Sequence, residues 1–378
     1  MRTEKIAAGQ AHRGRARGLE GLGAALRAEA AGLAAPALWA ALAMLLAVFL
    51  LAPQLPLRYG FDVGREEGVG SDLPFLQGFN TAERDELGTY RWTDDGARIV
   101  APGVGARDLL VRLDWLPTPA AAAEVGPRSY ELVAGSVPLG RLPLRPEGGS
   151  QLVAVPAAAL RGGTLELEIR TATFSLAGDQ RSLGARLGGF ELVGLTGGLP
   201  RAPDWWAALT WLAAVACGWM AVRHCLQGAG PINREGREGR QASPDSSSFA
   251  RFSWAARLFS GESRAAAAVL LVGSALVALA VLLDPPRWAF GARAALVACA
   301  LAYPLALATR AALPRLARRL GVPLDEVSLG WLSLFVVLSF ALRFGGRLYP
   351  DSMHGDIGFH HNRFNEAVWG LIYIVSVN

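Results

Sequence analysis

Lysine is almost absent from this chain: Lys5 is the only one, so nearly all the positive charge is arginine. Charge of either sign is scarce. Charged residues make up 18% of the 378 positions, where soluble domains carry about 25%. Hydrophobic residues make up 52%. Together with several long apolar runs, that balance argues against an ordinary soluble globular protein and for an integral membrane protein. Cysteine is scarce as well. Cys217, Cys225 and Cys299 all lie in or beside apolar segments. No disulfide framework and no CxxC metal site is therefore expected, and these residues read as small apolar packing groups. The net charge of +5 does not call for nucleic acid, because the basic residues gather in loops beside apolar runs.

Five of those runs are long enough, or nearly so, to cross about 30 Å of hydrocarbon at about 1.5 Å per helical residue. They are 33–52, 205–222 (opened by the pair Trp205 and Trp206), 265–283, 294–309 and 327–342. Arginine in the loops sets their direction. Residues 1–32 hold Lys5 and five arginines, residues 223–264 hold seven arginines, and residues 310–326 hold four. These three stretches are expected in the cytoplasm. The DPPRW turn, residues 284–288, and everything between the first two spans are expected outside, in a plasma membrane. The leading segment of about 32 residues is too long for a signal-peptide n-region, so the first span reads as an uncleaved anchor. The stretch 223–264 reads as a flexible basic linker. Within it FARFSWAARLF, residues 249–259, has the mix of an amphipathic helix lying on the inner leaflet.

Between the first two spans, residues 53–203 have a different texture. Short alternating runs such as TYRWT, DLLVRLDWL and TLELEIR are separated by Gly and Pro. TLELEIR alternates apolar and charged residues, the pattern of a half-buried strand. Many such strands imply a β-sandwich or jelly roll. The predicted fold is therefore α+β: a polytopic helical membrane bundle with a β-sandwich inserted between spans one and two.

The pieces DVGREEGVGSDLPFLQGF, TYRWTDDGARIVAPG and TFSLAGDQRSLGARLGGFEL, in that order, resemble an extracytoplasmic jelly-roll domain. Such domains recur in bacterial membrane proteins related to the glycosyltransferase C superfamily, which includes mannosyltransferases of the dolichyl-phosphate-mannose type. The similarity covers most of residues 62–195. It implies a sandwich that binds carbohydrate, with Tyr90, Trp92 and Trp115 stacking on sugar rings and Asp179 and Arg181 bonding their hydroxyls. A plainer reading stands beside it: Tyr90 and Trp92, at i and i+2, share one face and pack the core.

After the fifth predicted span comes PDSMHGDIGFHHNRF, residues 350–364, with three of the five histidines. A helix starting near Gly355 would put Asp356, His360 and Arg363 on one stripe. Three readings compete. The resemblance implies a sugar-transfer site, with Asp356 as general base and Asp351 in reserve, and with Arg363, Arg347 and His360 holding the phosphate of a polyprenyl-linked sugar. A metal site is the second: His354, Asp356 and His360 would hold a divalent cation, although no standard zinc spacing matches. The third is an ordinary polar loop at the membrane surface, with no chemistry.

The sugar-transfer reading meets two departures. In the superfamily the catalytic loop follows the first helix of the conserved fold, whereas here it follows the fifth span. The final apolar run, residues 367–377, is also too short to cross. The chain therefore reads as the N-terminal part of such an enzyme, or as ending in a re-entrant helix. The expected partners are the bilayer, a polyprenyl-phosphate sugar and envelope glycan. From another class comes a non-enzymatic envelope protein whose sandwich binds glycan or a partner subunit.

Overall fold

The computed structural model describes residues 30–66, 71–176, 178–195, 200–226 and 264–347. These residues form an α+β structure in two units. One holds 30–45, 212–226, 264–277 and 296–342; the other holds the remainder.

Five long helices occur: α1 (Pro36–Leu51), α2 (Trp205–Leu226), α3 (Arg264–Leu283), α4 (Pro285–Leu320) and α5 (Glu326–Arg347). All five are long and apolar enough to cross a membrane. Their ends follow local chemistry. Asp204 caps α2 by accepting from the Ala207 N–H at 3.0 Å, and Asp325 caps α5 by accepting from Ser328 N–H at 2.6 Å. Where a turn is expected at 284–288, the structure starts a helix instead. Asp284 is its cap and Pro285 its first residue, a position where the missing proline N–H costs nothing. The expected loop after residue 309 is helical as well, because Ala, Leu and Arg favour it. That helix stops at Gly321, whose φ of +67° continues into paired bonds from Gly321 to Arg318 and from Val322 to Ala317.

The helical unit is packed by small residues. Ala298, Ala302 and Ala306 recur every fourth position on α4 and are buried, the last two in one core with Ala37, Ala41 and Trp219. The Trp219 indole donates to Gly32 O at 2.9 Å. Arg310 donates to Cys225 O at 2.6 Å, among the last carbonyls of α2, and pairs with Glu326 at 2.8 Å.

The second unit is built from ten antiparallel strands. They are β1 (Arg58–Asp62), β2 (Leu76–Phe79), β3 (Glu83–Asp85), β4 (Gly88–Ala101), β5 (Leu109–Trp115), β6 (Ser129–Ala134), β7 (Val137–Pro143), β8 (Gly149–Val155), β9 (Leu165–Thr171) and β10 (Arg186–Gly194). Hydrogen bonding runs β7-β6-β9-β4-β10-β5-β8, with β1 on β10 and with β2 and β3 on β4. The long β4 serves two layers. Arg91 and Trp92 pair with β10, and Ala97–Ala101 pair with β9. Between the two pairings sits Gly96 at φ +72°, where the strand can bend from one layer into the other.

The inward positions alternate along each strand. Leu109, Val111 and Leu113 of β5 face Leu165, Leu167 and Ile169 of β9 within one core, and all are fully buried. Burying such side chains contributes about 1.5–3 kcal/mol each. One buried polar element joins this frame. Asp72 accepts from Arg91 Nε at 2.8 Å and Nη2 at 3.1 Å, and also from the Gly64 N–H at 2.6 Å. It welds the loop after β1 to β4.

Candidate functional site

The outward face of β1, β10, β5 and β8 turns polar side chains to the surface. The register sets them in rows. One row runs Gly60, Glu191, Arg112, Leu152 and the next runs Asp62, Gly189, Asp114, Ser150. Along the first row Glu191 accepts from Arg58 at 2.6 Å and from Arg112 at 2.9 Å. Along the second, Asp114 accepts from Ser150 Oγ at 2.5 Å and from Arg112 at 3.1 Å. Arg58 is 78% exposed, so its ion pair with Glu191 contributes only about 0.2–1 kcal/mol.

Two glycines keep the floor low. A side chain at Gly189 would come within 2.9 Å of Asp114 Oδ2, and one at Gly60 within 2.9 Å of Phe190 O. Above them lies a cavity of about 470 Å³. Four guanidiniums (Arg58, Arg65, Arg112, Arg287) and four carboxylates (Asp62, Asp114, Glu191, Asp284) line it. Burial pushes the Asp284 carboxyl up, against the pull of the Arg287 N–H, the Arg287 charge and the Tyr59 hydroxyl. Arg287 itself is held in place: it donates to Ser71 O at 2.5 Å and lies 5.0 Å over the Phe75 ring. Charge on the lining is balanced, so neither a polyanion nor a polycation is favoured. What the face offers is a mixed field of donors and acceptors.

No family model matches this sequence, glycosyltransferase C models included, and no curated protein matches it. Solved structures give weak likenesses. The ANXUR2 extracellular domain from Arabidopsis thaliana is 11% identical over 39% of this chain and 52% of that one, with a TM-score of 0.26. The CBM35 from Cellvibrio japonicus Abf62 is 11% identical over 37% of this chain and 95% of that one, with a TM-score of 0.24. The Xyl-CBM35 solved with a disaccharide containing glucuronic acid is 14% identical over 32% of this chain and 94% of that one, with a TM-score of 0.21. The chain spans about half the length of the ANXUR2 domain. Likeness at this level assigns no activity to the present protein.

The sandwich residues singled out from sequence fall in two places. Tyr90, Trp92, Asp179 and Arg181 come together. Tyr90 and Trp92 meet edge to face at 6.3 Å, in a small core with Leu183 and Phe174. Arg181 pairs with Asp179 at 2.7 Å and Glu83 at 2.6 Å, and Glu83 in turn accepts from the Tyr90 hydroxyl at 2.8 Å. Arg186 lies 3.8 Å from the Tyr90 ring centroid and pairs with Asp85. The two rings are 7% and 4% exposed. Trp115 lies elsewhere, in the main core. It is 3% exposed and donates to the Tyr130 hydroxyl at 3.1 Å. It reaches one surface feature, a cavity of about 340 Å³ lined also by Arg145, Gln151 and Leu152.

The residues proposed for sugar transfer and metal binding are not assembled by the described structure. Asp351, His354, Asp356, His360 and Arg363 lie outside the described residues, and Arg347 is placed only as backbone at the end of α5. Among the described residues, no group of three or more potential metal ligands occurs.

The residues of this polar face, Asp62, Arg65, Arg112, Asp114 and Glu191, are not among those singled out for glycan contact from sequence. The charged outward positions of DLLVRLDWL and GGFEL carry the signal, because alternation puts Arg112, Asp114 and Glu191 on the solvent side. Nothing in the sequence says that β10 lies between β1 and β5.

Proposed function

We propose that this chain is a membrane protein whose β-sandwich binds glycan of the cell envelope on the outward face of β1, β10, β5 and β8. The observation that carries this reading is the neutral lining over a glycine floor. Sugar hydroxyls each donate and accept, so they suit a surface where carboxylates alternate with guanidiniums and a serine. Phosphate-rich partners would meet four carboxylates as well as four arginines.

The test is binding of the full-length protein, in detergent micelles, to an array of linear glucose, mannose, galactose and xylose oligomers. Asp62 is exposed, so Asp62→Ala leaves the fold intact. It is expected to lower affinity for the bound glycan at least about tenfold, which corresponds to 1.4 kcal/mol, with an unchanged unfolding midpoint. A protein that captures none of these series, or a variant that binds as well as the parent, would overturn the reading.

The sandwich belongs outside the membrane and the basic stretches inside, by the arginine bias of the loops. A cysteine placed by Ser150→Cys should react with a membrane-impermeant maleimide in intact cells. Labelling only after the cells are broken would reverse the orientation. Sugar transfer from a polyprenyl-phosphate donor is a separate proposal that rests on residues 351–363, and glycan binding by the sandwich does not depend on it.

A further inference from the structure

The polar face does not end at the cavity above Gly60 and Gly189. A second cavity, about 400 Å³, lies beside it and shares two lining residues, Asp62 and Arg65. Its far side is formed by Arg84 and Thr89, at the β3–β4 hairpin, and by Glu66. The two cavities thus adjoin at Asp62 and Arg65, making a paired trough at the end of β1.

Hydrogen-bonding capacity is distributed unevenly along that trough. At one end Arg58, Glu191, Arg112, Asp114 and Ser150 already satisfy one another. Glu66 is engaged by Arg91 at 3.0 Å. Among the described residues, Asp62, Arg65 and Arg84 have side chains with no ion-pair or hydrogen-bond partner, and all three are exposed. Two of them stand where the cavities meet, and the third is in the second cavity. A ligand confined to the first cavity would compete with a network that is already closed. A ligand lying across the junction meets free groups at the junction and in the second cavity.

We infer that the ligand is a chain of at least two linked sugars, seated with Asp62 and Arg65 at the linkage between neighbouring units and Arg84 on a unit in the second cavity. This rests on the glycan reading above and adds the class of glycan: an oligosaccharide rather than a single sugar. A ligand spanning both cavities gains contacts with each added unit until the trough is filled, whereas a single sugar gains only one subsite's contacts.

The experiment measures affinities of the full-length protein for the monosaccharide, disaccharide and tetrasaccharide of whichever series on the array binds, for the parent and for Arg84→Ala. Affinity is expected to rise at least about tenfold from monosaccharide to tetrasaccharide. Arg84→Ala is expected to remove most of that gain, so that the tetrasaccharide binds little better than the monosaccharide. Equal affinity at all lengths, or an equal loss at all lengths in Arg84→Ala, would overturn the extended site and leave glycan binding standing. An array on which no series binds would overturn both. Because Arg84 is on the surface, its replacement should not move the unfolding midpoint, and that control separates lost contacts from lost fold.

Discussion

Loss of Arg91 should cost the sandwich heavily. Its guanidinium is 5% exposed and bonds Asp72, which is 0% exposed, through both Nε and Nη2. In Arg91→Leu the Asp72 carboxylate keeps one named donor, the Gly64 N–H at 2.6 Å, and loses its countercharge. Removing one member of a buried pair costs about 3–5 kcal/mol, because the other charge stays buried without compensation. For a unit of this size each kcal/mol moves the midpoint by about 2–4 °C, so the expected fall is about 6–20 °C. The assay is thermal unfolding of the full-length protein followed by tryptophan fluorescence, since Trp92 is on the same strand and 4% exposed. The double variant Asp72→Leu, Arg91→Leu is the informative partner. Without charge to bury, it should recover most of the loss, and the non-additivity measures the coupling. An Arg91→Leu midpoint within about 2 °C of the parent, or a double variant that loses the sum of the two single effects, would refute the claim that this pair pins the loop.

The remaining predictions concern smaller or more distant features. Burial raises the Asp204 carboxyl from its ordinary value of 3.8, against backbone donors from Ala207, Gly103 and Trp206. A raised folded value means that Asp204 favours the fold when protonated. Its contribution is fully present below about 3.8 and is lost as pH rises through the higher folded value. Asn caps as well as Asp, so Asp204→Asn should match or exceed the parent midpoint at pH 7 and show a flatter profile between pH 4 and 7, as read from melting curves across that range. A midpoint at neutral pH clearly below that of the parent would count against this. Asp356→Asn examines the sugar-transfer proposal. It should abolish transfer from a polyprenyl-phosphate sugar while membrane insertion stays normal, and unchanged transfer would remove Asp356 as the base.

Part of this architecture is legible in the sequence. Alternation in TLELEIR is the alternation of β9, whose Leu165, Leu167 and Ile169 are buried between half-exposed glutamates. The five apolar runs become the five long helices, although α4 runs well past the expected ends because length estimates from hydropathy ignore capping and propensity. The aromatic residues chosen as sugar platforms show the opposite limit. Tyr90 and Trp92 do share a face, but period-two spacing does not say whether that face looks inward or outward, and a small core claims both rings.

Local sequence therefore determined the elements: apolar runs of spanning length, alternating strands, an aspartate before each of α2, α4 and α5, and a glycine after α4. These depend on near-neighbour chemistry, in which propensity, periodicity and capping act within a few residues. Tertiary structure alone decided what meets what. Asp72 finds Arg91 nineteen positions away. The polar trough needs Asp62, Glu191 and Arg112 from three strands in one register. Register between strands distant in the chain comes from packing of the shared core, so a site built across strands exists only once that core has formed.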